Sequence, residues 1–282
     1  MSPRFSSSIL VWTLVLSGLA NAQQFVSVRR HDGQAVVLAA YQPKTEICRG
    51  VAVISHGAGG SEKGYAYLGE LLASLGYHAV VPGHLQSGPR ALRDLMQGRG
   101  LAAALAALVV DPDAYRGRFM DIAAARHWAR ASCPGQASIL VGHSMGAATV
   151  MLEAGAHNQL GLTGDATFDA YVALSPQGSG PIFPPGAWSG MRRPLLMITG
   201  TRDDELGGKP WQARTESYAN LPTGCKWMGV IDGATHMHLA GRGLPSQTET
   251  LIAQLITAFL AGGERGDCRA PPALTGVDLR SK

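Results

Sequence analysis

Aromatic residues are scarce: Phe, Trp and Tyr together make up 6% of the 282 residues. That leaves little with which to build a surface that stacks nucleobases. Charge is sparse as well. The chain has 24 Lys and Arg against 20 Asp and Glu, with no basic cluster, which argues against a nucleic-acid partner. The apolar stretches Ile9–Leu19 and Leu101–Val110 are too short to cross a bilayer. Only four cysteines occur, Cys48, Cys133, Cys225 and Cys268, and none are paired at the close C-x-x-C spacing, so a zinc site built from four cysteines is not expected. The sequence contains no G-x-x-x-x-G-K-[ST] run and no G-x-G-x-x-G after a strand, the two loops that cradle nucleotide phosphates. Repeats, heptads and low-complexity tracts are missing too. No cofactor and no metal are expected.

What is present begins with an export signal. Arg4 supplies a positive start, Ile9–Leu19 an apolar stretch, and Ala20-Asn21-Ala22 a small-residue cleavage site. Residues 1–22 are read as a signal peptide cut after Ala22, so that the protein is periplasmic or secreted and keeps no stable membrane anchor. Residues 23–282 suit one domain. In an exported chain an even cysteine count points to disulfides, and four cysteines allow three pairings. Cys48, Cys133 and Cys225 each precede a predicted strand. Cys268 follows the last helix, which must return to the same edge of the sheet. The expected pairs are Cys48–Cys133 and Cys225–Cys268.

Strand and helix signals alternate along the chain. His31-Asp32-Gly33-Gln34 separates two strand-like runs, a hairpin signature. Val51–Ser55 is continuously apolar, as a strand covered on both faces should be. Ser61 is placed to cap a helix carrying Tyr65, Leu68, Leu71, Leu72 and Leu75 on its apolar face. Tyr77–Pro82 is the next strand, and His84 beyond it reads as a solvated loop residue. Ala91–Val110 reads as one helix, either a lid, a membrane-seeking surface or, the favoured reading, an ordinary packed helix. Arg118–Ala131 is a second. Strands follow at Asp169–Leu174, Leu195–Thr199 and Lys226–Ile231, with helices at Trp211–Leu221 and 246–262. Phe183 and Trp188 either wall a pocket or pack their loop down. The tail from Arg269 reads as irregular.

The most informative stretch is Ala137–Val150. An apolar strand breaks into Gly142-His143-Ser144-Met145-Gly146 and leaves as a small-residue helix. A serine hydroxyl is a weak nucleophile and must be presented in the open beside a base. A sharp strand-to-helix turn does this for Ser144, with glycines where a Cβ would clash. His56-Gly57-Ala58-Gly59-Gly60 follows the Val51–Ser55 strand. It is suited to aim a backbone N–H at an oxyanion; Ala58 is assigned one such donor and Met145, after the nucleophile, the other. His56 is read as structural. An acid belongs just past the Leu195–Thr199 strand, where Asp203 is preferred over Asp204. A base belongs past the last strand, where His236 is preferred over His238.

With His-Gly-Ala-Gly-Gly, Gly-His-Ser-Met-Gly, Gly-Thr-Arg-Asp and Gly-Ala-Thr-His in that order, residues 25–262 resemble the α/β-hydrolase superfamily. The resemblance is nearest to dienelactone-hydrolase-like proteins, platelet-activating-factor acetylhydrolases and secreted polyester hydrolases. It implies an α/β fold with a mostly parallel eight-stranded sheet and helices on both faces. It also implies hydrolysis of a small-molecule carboxylic ester through an acyl-enzyme, with Ser144 as nucleophile, His236 as base and Asp203 as its orienting acid. The chain departs from dienelactone hydrolases proper in having serine rather than cysteine, and from cutinase-type polyester hydrolases in having Ala58 where they carry an aromatic residue. An amidase or peptidase using the same three residues, or a non-catalytic ligand-binding member of the fold, are the alternatives. No oligomeric state is implied.

Overall fold

The computed structural model describes residues 23–133, 135, 137–205, 207–264 and 267–282. The expected signal peptide and its cleavage site after Ala22 lie outside the described residues. Among the described residues nine strands form one mixed sheet: β1 (Gln24–Arg29), β2 (Ala35–Tyr41), β3 (Gly50–Ser55), β4 (Tyr77–Pro82), β5 (Ala137–His143), β6 (Ala170–Leu174), β7 (Leu195–Arg202), β8 (Lys226–Thr235) and β9 (Val277–Ser281). Their order is β1-β2-β4-β3-β5-β6-β7-β8-β9. From β4 to β8 every pairing is parallel, and the outer pairings β1–β2, β2–β4 and β8–β9 are antiparallel. Strands β3 and β4 are buried at every residue, as parallel strands covered on both faces must be.

Helices cover both faces: α1 (Ala66–Ser74), α2 (Pro89–Met96), α3 (Leu101–Leu108), α4 (Pro112–Ala131), α5 (Met145–Glu153), α6 (Glu216–Ala219), α7 (His236–Leu239) and α8 (Ser246–Glu264). On one face Leu68 and Leu72 of α1 and Leu255 and Phe259 of α8 pack on Ile54, Val141 and Trp227. On the other, Ile122 and Ala125 of α4 and Val150 of α5 pack on Val53, Leu140 and Met228. The alternation of neighbours such as Val53 and Ile54 between the two layers is the period-2 geometry of a strand. Among the described residues no helix is long and apolar enough to cross a membrane. Disulfides join Cys48 to Cys133 and Cys225 to Cys268, the expected pairs.

Several expectations need correction. The sheet has nine strands, not eight, because the tail is not irregular: Val277–Ser281 pairs antiparallel with β8. Residues 91–110 are not one helix. Gly98 adopts φ 80° and breaks them into α2 and α3. The second helix, α4, starts at Pro112 and not at Arg118: the Asp111 side chain accepts the Asp113 N–H, and Pro112 takes the first helical position. Ser61 does not cap α1, which starts after Tyr65. Trp211–Leu221 is a 3-10 turn over Trp211–Thr215 running into the single turn α6, and β8 runs four residues past Ile231. Phe183 and Trp188 are both fully buried and pack on each other, holding their loop down.

Candidate active site

The site lies at the carboxyl ends of the parallel strands, where the loops after β3, β5, β7 and β8 converge. At the end of β5 the chain must turn directly into α5. Ser144 makes the turn with φ 56° and ψ −117°, a conformation L-residues rarely adopt. The turn is possible because its neighbours have no side chains. A Cβ at Gly142 would collide with the Gly146 carbonyl, and one at Gly146 with that of Ser55. The Ser144 N–H donates to the Leu174 carbonyl at 3.0 Å, which ties the turn to β6. Ser144 faces a cavity of about 1150 Å³ that is also lined by Gly57, Ala58 and His236.

Two of the expected residues meet beside it. A carboxylate oxygen only accepts, so His236 donates from Nδ1 to Asp203 Oδ1 at 2.8 Å, and Nε2 is the ring nitrogen left to act as a base. Asp203 is fully buried and its other oxygen accepts from Thr199 Oγ1 at 2.8 Å. Asp204 is turned away to accept the Trp211 N–H. His238 is turned into the cap of α7, where it exchanges hydrogen bonds with Thr235.

In the loop after β3, the N–H groups of Gly57, Gly59 and Gly60 donate to Tyr65 Oη, Ser87 O and Gly57 O. Ala58 is the exception: its N–H has no partner among the described residues, and it lines the cavity. Met145 is the first residue of α5, so its N–H has no carbonyl one turn back to bond. Among the described residues, then, the two donors that the sequence singles out are left unpaired.

The sequence reading missed what holds these loops. Arg118 of α4 is fully buried and donates to the carbonyls of His56 (2.6 Å) and Gly57 (3.4 Å) and to Ser55 Oγ and Ser87 Oγ. Burial lowers its pKa to about 10, so the guanidinium keeps its charge at neutral pH. His84 is not solvated: it is 1% exposed, bonded to Ser55 Oγ (2.9 Å) and Asp121 Oδ2 (3.0 Å). Asp121 also pairs with Arg30, yet burial pushes its pKa up to about 7. His56 donates to Gly57 O and accepts the His84 N–H, and burial holds it well below the usual histidine range. Arg118 and Asp121 fall on the α4 stripe of Ala114, Ile122, Ala125 and Ala129. Charges on the apolar face of a helix were the available signal.

On the other side Arg214 donates to the carbonyls of Asp203 (2.6 Å), Asp204 (3.0 Å), Ser175 (3.1 Å) and Pro176 (3.2 Å), and its Nε lies 3.0 Å from Asp203 Oδ1. Nothing in its local sequence marks it.

Solved structures share this architecture. An α/β serine hydrolase homologue from Coxiella burnetii is 16% identical, with a TM-score of 0.55 over 83% of this chain and 95% of that one. A predicted CIB-like hydrolase from Thermoplasma acidophilum is 15% identical, with a TM-score of 0.54 over 83% and 98%. An α/β serine hydrolase without a lid from Xanthomonas campestris is 16% identical, with a TM-score of 0.54 over 88% and 97%. This is the α/β-hydrolase fold. No family model matches the chain, and no curated protein matches it. At these identities the likeness establishes the fold alone. Strand-end positions around Ser144 are where sites sit in open α/β sheets generally.

Proposed function

We propose that the chain is an exported serine hydrolase that cleaves small or medium carboxylic esters. One observation carries this: a strained serine at a strand-to-helix turn opens onto the same cavity as a histidine whose far nitrogen is bonded to a buried aspartate. In the proposed reaction His236 Nε2 takes the Ser144 proton as Oγ attacks the ester carbonyl. The oxyanion that forms accepts from the Ala58 and Met145 N–H groups. His236 then returns the proton to the leaving alcohol, giving an acyl-serine. Water, deprotonated by the same histidine, releases the acid and restores Ser144. Asp203 holds the imidazole in its Nδ1–H form and stabilises the imidazolium.

The cavity supports an apolar substrate. Ala102, Leu105, Ala106, Val109 and Val110, spaced for one helical stripe, line it from α3 and the turn after it, while Ala104 and Leu108 turn into the core. The hydrolases named among the fold's solved relatives support the reaction class. The motifs favour the branch of dienelactone-hydrolase-like proteins, platelet-activating-factor acetylhydrolases and secreted polyester hydrolases. Export rests on the leader-like residues 1–22 and accords with two disulfides. Intact mass of the exported protein tests it: a mass beginning at Gln23 is expected, and a retained Met1 contradicts cleavage.

The test of the reaction is hydrolysis of p-nitrophenyl acetate, butyrate and octanoate by the wild type and Ser144→Ala. We expect the variant to lose about 10³–10⁶-fold in kcat. Equal, slow rates for both proteins on all three esters would overturn the esterase reading.

A further inference from the structure

His143 fills the second place of the Gly-x-Ser-x-Gly turn, beside Ser144, and is 3% exposed. Its ring reaches two other loops. Nε2 lies 3.1 Å from the main-chain oxygen of His236. Nδ1 lies 2.8 Å from Tyr65 Oη, and that same oxygen lies 3.1 Å from the Gly57 nitrogen. The His143 and His236 rings also pack on each other, with centroids 4.6 Å apart.

These contacts permit one arrangement of protons. A carbonyl oxygen only accepts, so His143 Nε2 carries a hydrogen. Burial, with His236 and Arg214 nearby, holds the ring well below the usual histidine range, so it is neutral and Nδ1 is a bare lone pair. Tyr65, pushed up to about 12 by burial, keeps its proton and donates it to Nδ1. The Tyr65 oxygen is then free to accept the Gly57 N–H. Every donor in this relay meets an acceptor. Tyr65 is held for this with φ 62°, in the left-handed region that a tyrosine seldom occupies.

We propose that Tyr65 and His143 are positioning residues that lock the Ala58 loop, the Ser144 turn and the His236 loop into one unit. Both line the cavity, but their polar atoms are spent on each other and on the Gly57 and His236 backbone. The Gly57 end fixes the peptide next to the Ala58 N–H. The His236 end fixes the backbone that carries the imidazole. The relay therefore sets the gap between oxyanion donor and base, the spacing an acyl-transfer transition state is sensitive to. This inference rests on the hydrolase reading above.

Tyr65→Phe removes one oxygen and keeps the ring. It should lower kcat on p-nitrophenyl acetate about tenfold while KM stays within about twofold, because the ring that lines the cavity stays in place and the hydroxyl removed is one bonded to Gly57 and His143. His143→Leu should behave alike. His143→Gln should recover most of kcat, since its amide offers an acceptor and a donor about as far apart as the two ring nitrogens. The double variant Tyr65→Phe/His143→Leu should fall no further than the worse single variant. Multiplying losses, a rise in KM at constant kcat, or full activity in His143→Leu would each overturn the proposal.

Nitrogen-15 spectra of the imidazoles in the intact wild type give a readout that needs no turnover. They should show His143 protonated at Nε2 and bare at Nδ1 from about pH 6 to 9. A proton at Nδ1 would overturn the relay. If Ser144→Ala hydrolyses ester as fast as the wild type, the hydrolase reading fails instead, and the spectra still decide the relay.

Discussion

Two buried arginines flank Ser144, and they hold their loops in different ways. Arg118, on the side of the Ala58 loop, grips two carbonyls and two hydroxyls, and among the described residues none of its hydrogen bonds goes to a carboxylate. Arg214, on the histidine side, grips four carbonyls and also lies 3.0 Å from the Asp203 carboxylate. The first is a brace for backbone. The second is a brace and a counter-charge at once. A loop that offers only N–H groups needs fixed geometry. A loop that offers a buried carboxylate needs fixed geometry and compensation of that charge.

The largest expected effect lies on the histidine side. Asp203→Asn should cost about 10⁴-fold in kcat by favouring the wrong tautomer of His236, measured on p-nitrophenyl butyrate. The two arginines sharpen the contrast. Arg214→Met breaks a buried ion pair and should lower unfolding stability by about 3–5 kcal/mol in urea titration. Arg118→Met leaves acceptors unmade but strands no carboxylate of its own, and should cost less, about 1–3 kcal/mol. Equal costs would erase the distinction. Arg214→Lys should not restore the wild type, because an ammonium cannot reproduce a planar fork over four carbonyls.

Acid should unsettle the Ala58 side. His56, His84 and His143 are neutral in the fold, held well below the histidine value of 6.5 that the unfolded chain retains. Below pH 6.5 the unfolded chain takes up protons that these three do not. Stability present at neutral pH is therefore lost as pH falls from about 6.5, by up to about 1.4 kcal/mol per pH unit for each histidine. Asp121 works the other way. Its carboxyl, at about 7 in the fold and 3.8 unfolded, favours the fold as pH falls from about 7 toward 4 and offsets one histidine. The melting temperature should drop between about pH 6.5 and 5, and His143→Gln should flatten that drop. Asp204→Asn marks the small end of the scale. Its carboxylate accepts an exposed N–H at the edge of the cavity, so it should change kcat less than about twofold and stability by about 0.5 kcal/mol or less.

The parts legible in the sequence are those with a local signature. An apolar strand, two glycines and a small-residue helix announce the Ser144 turn, and Asp-Gly announces the β1–β2 hairpin. Strand ends place the four cysteines on one edge. The bracing network was not legible, because its members come from distant segments: Arg30, His84 and Asp121 span 91 residues. A lone charge in sequence reads as surface, and only its place on the α4 stripe argues otherwise. β9 was missed for a similar reason. Its five residues carry little signal and become a strand because the β8 edge is there to pair with.

Whether Ser144 is an activated nucleophile is read most directly by labelling with a fluorophosphonate followed by peptide mass mapping. An activated serine forms a stable phosphonyl ester, whereas an idle serine on a strained turn does not. One adduct is expected, on Ser144, absent from Ser144→Ala and formed far more slowly in His236→Gln. An unlabelled protein, or a label on another residue, would contradict it.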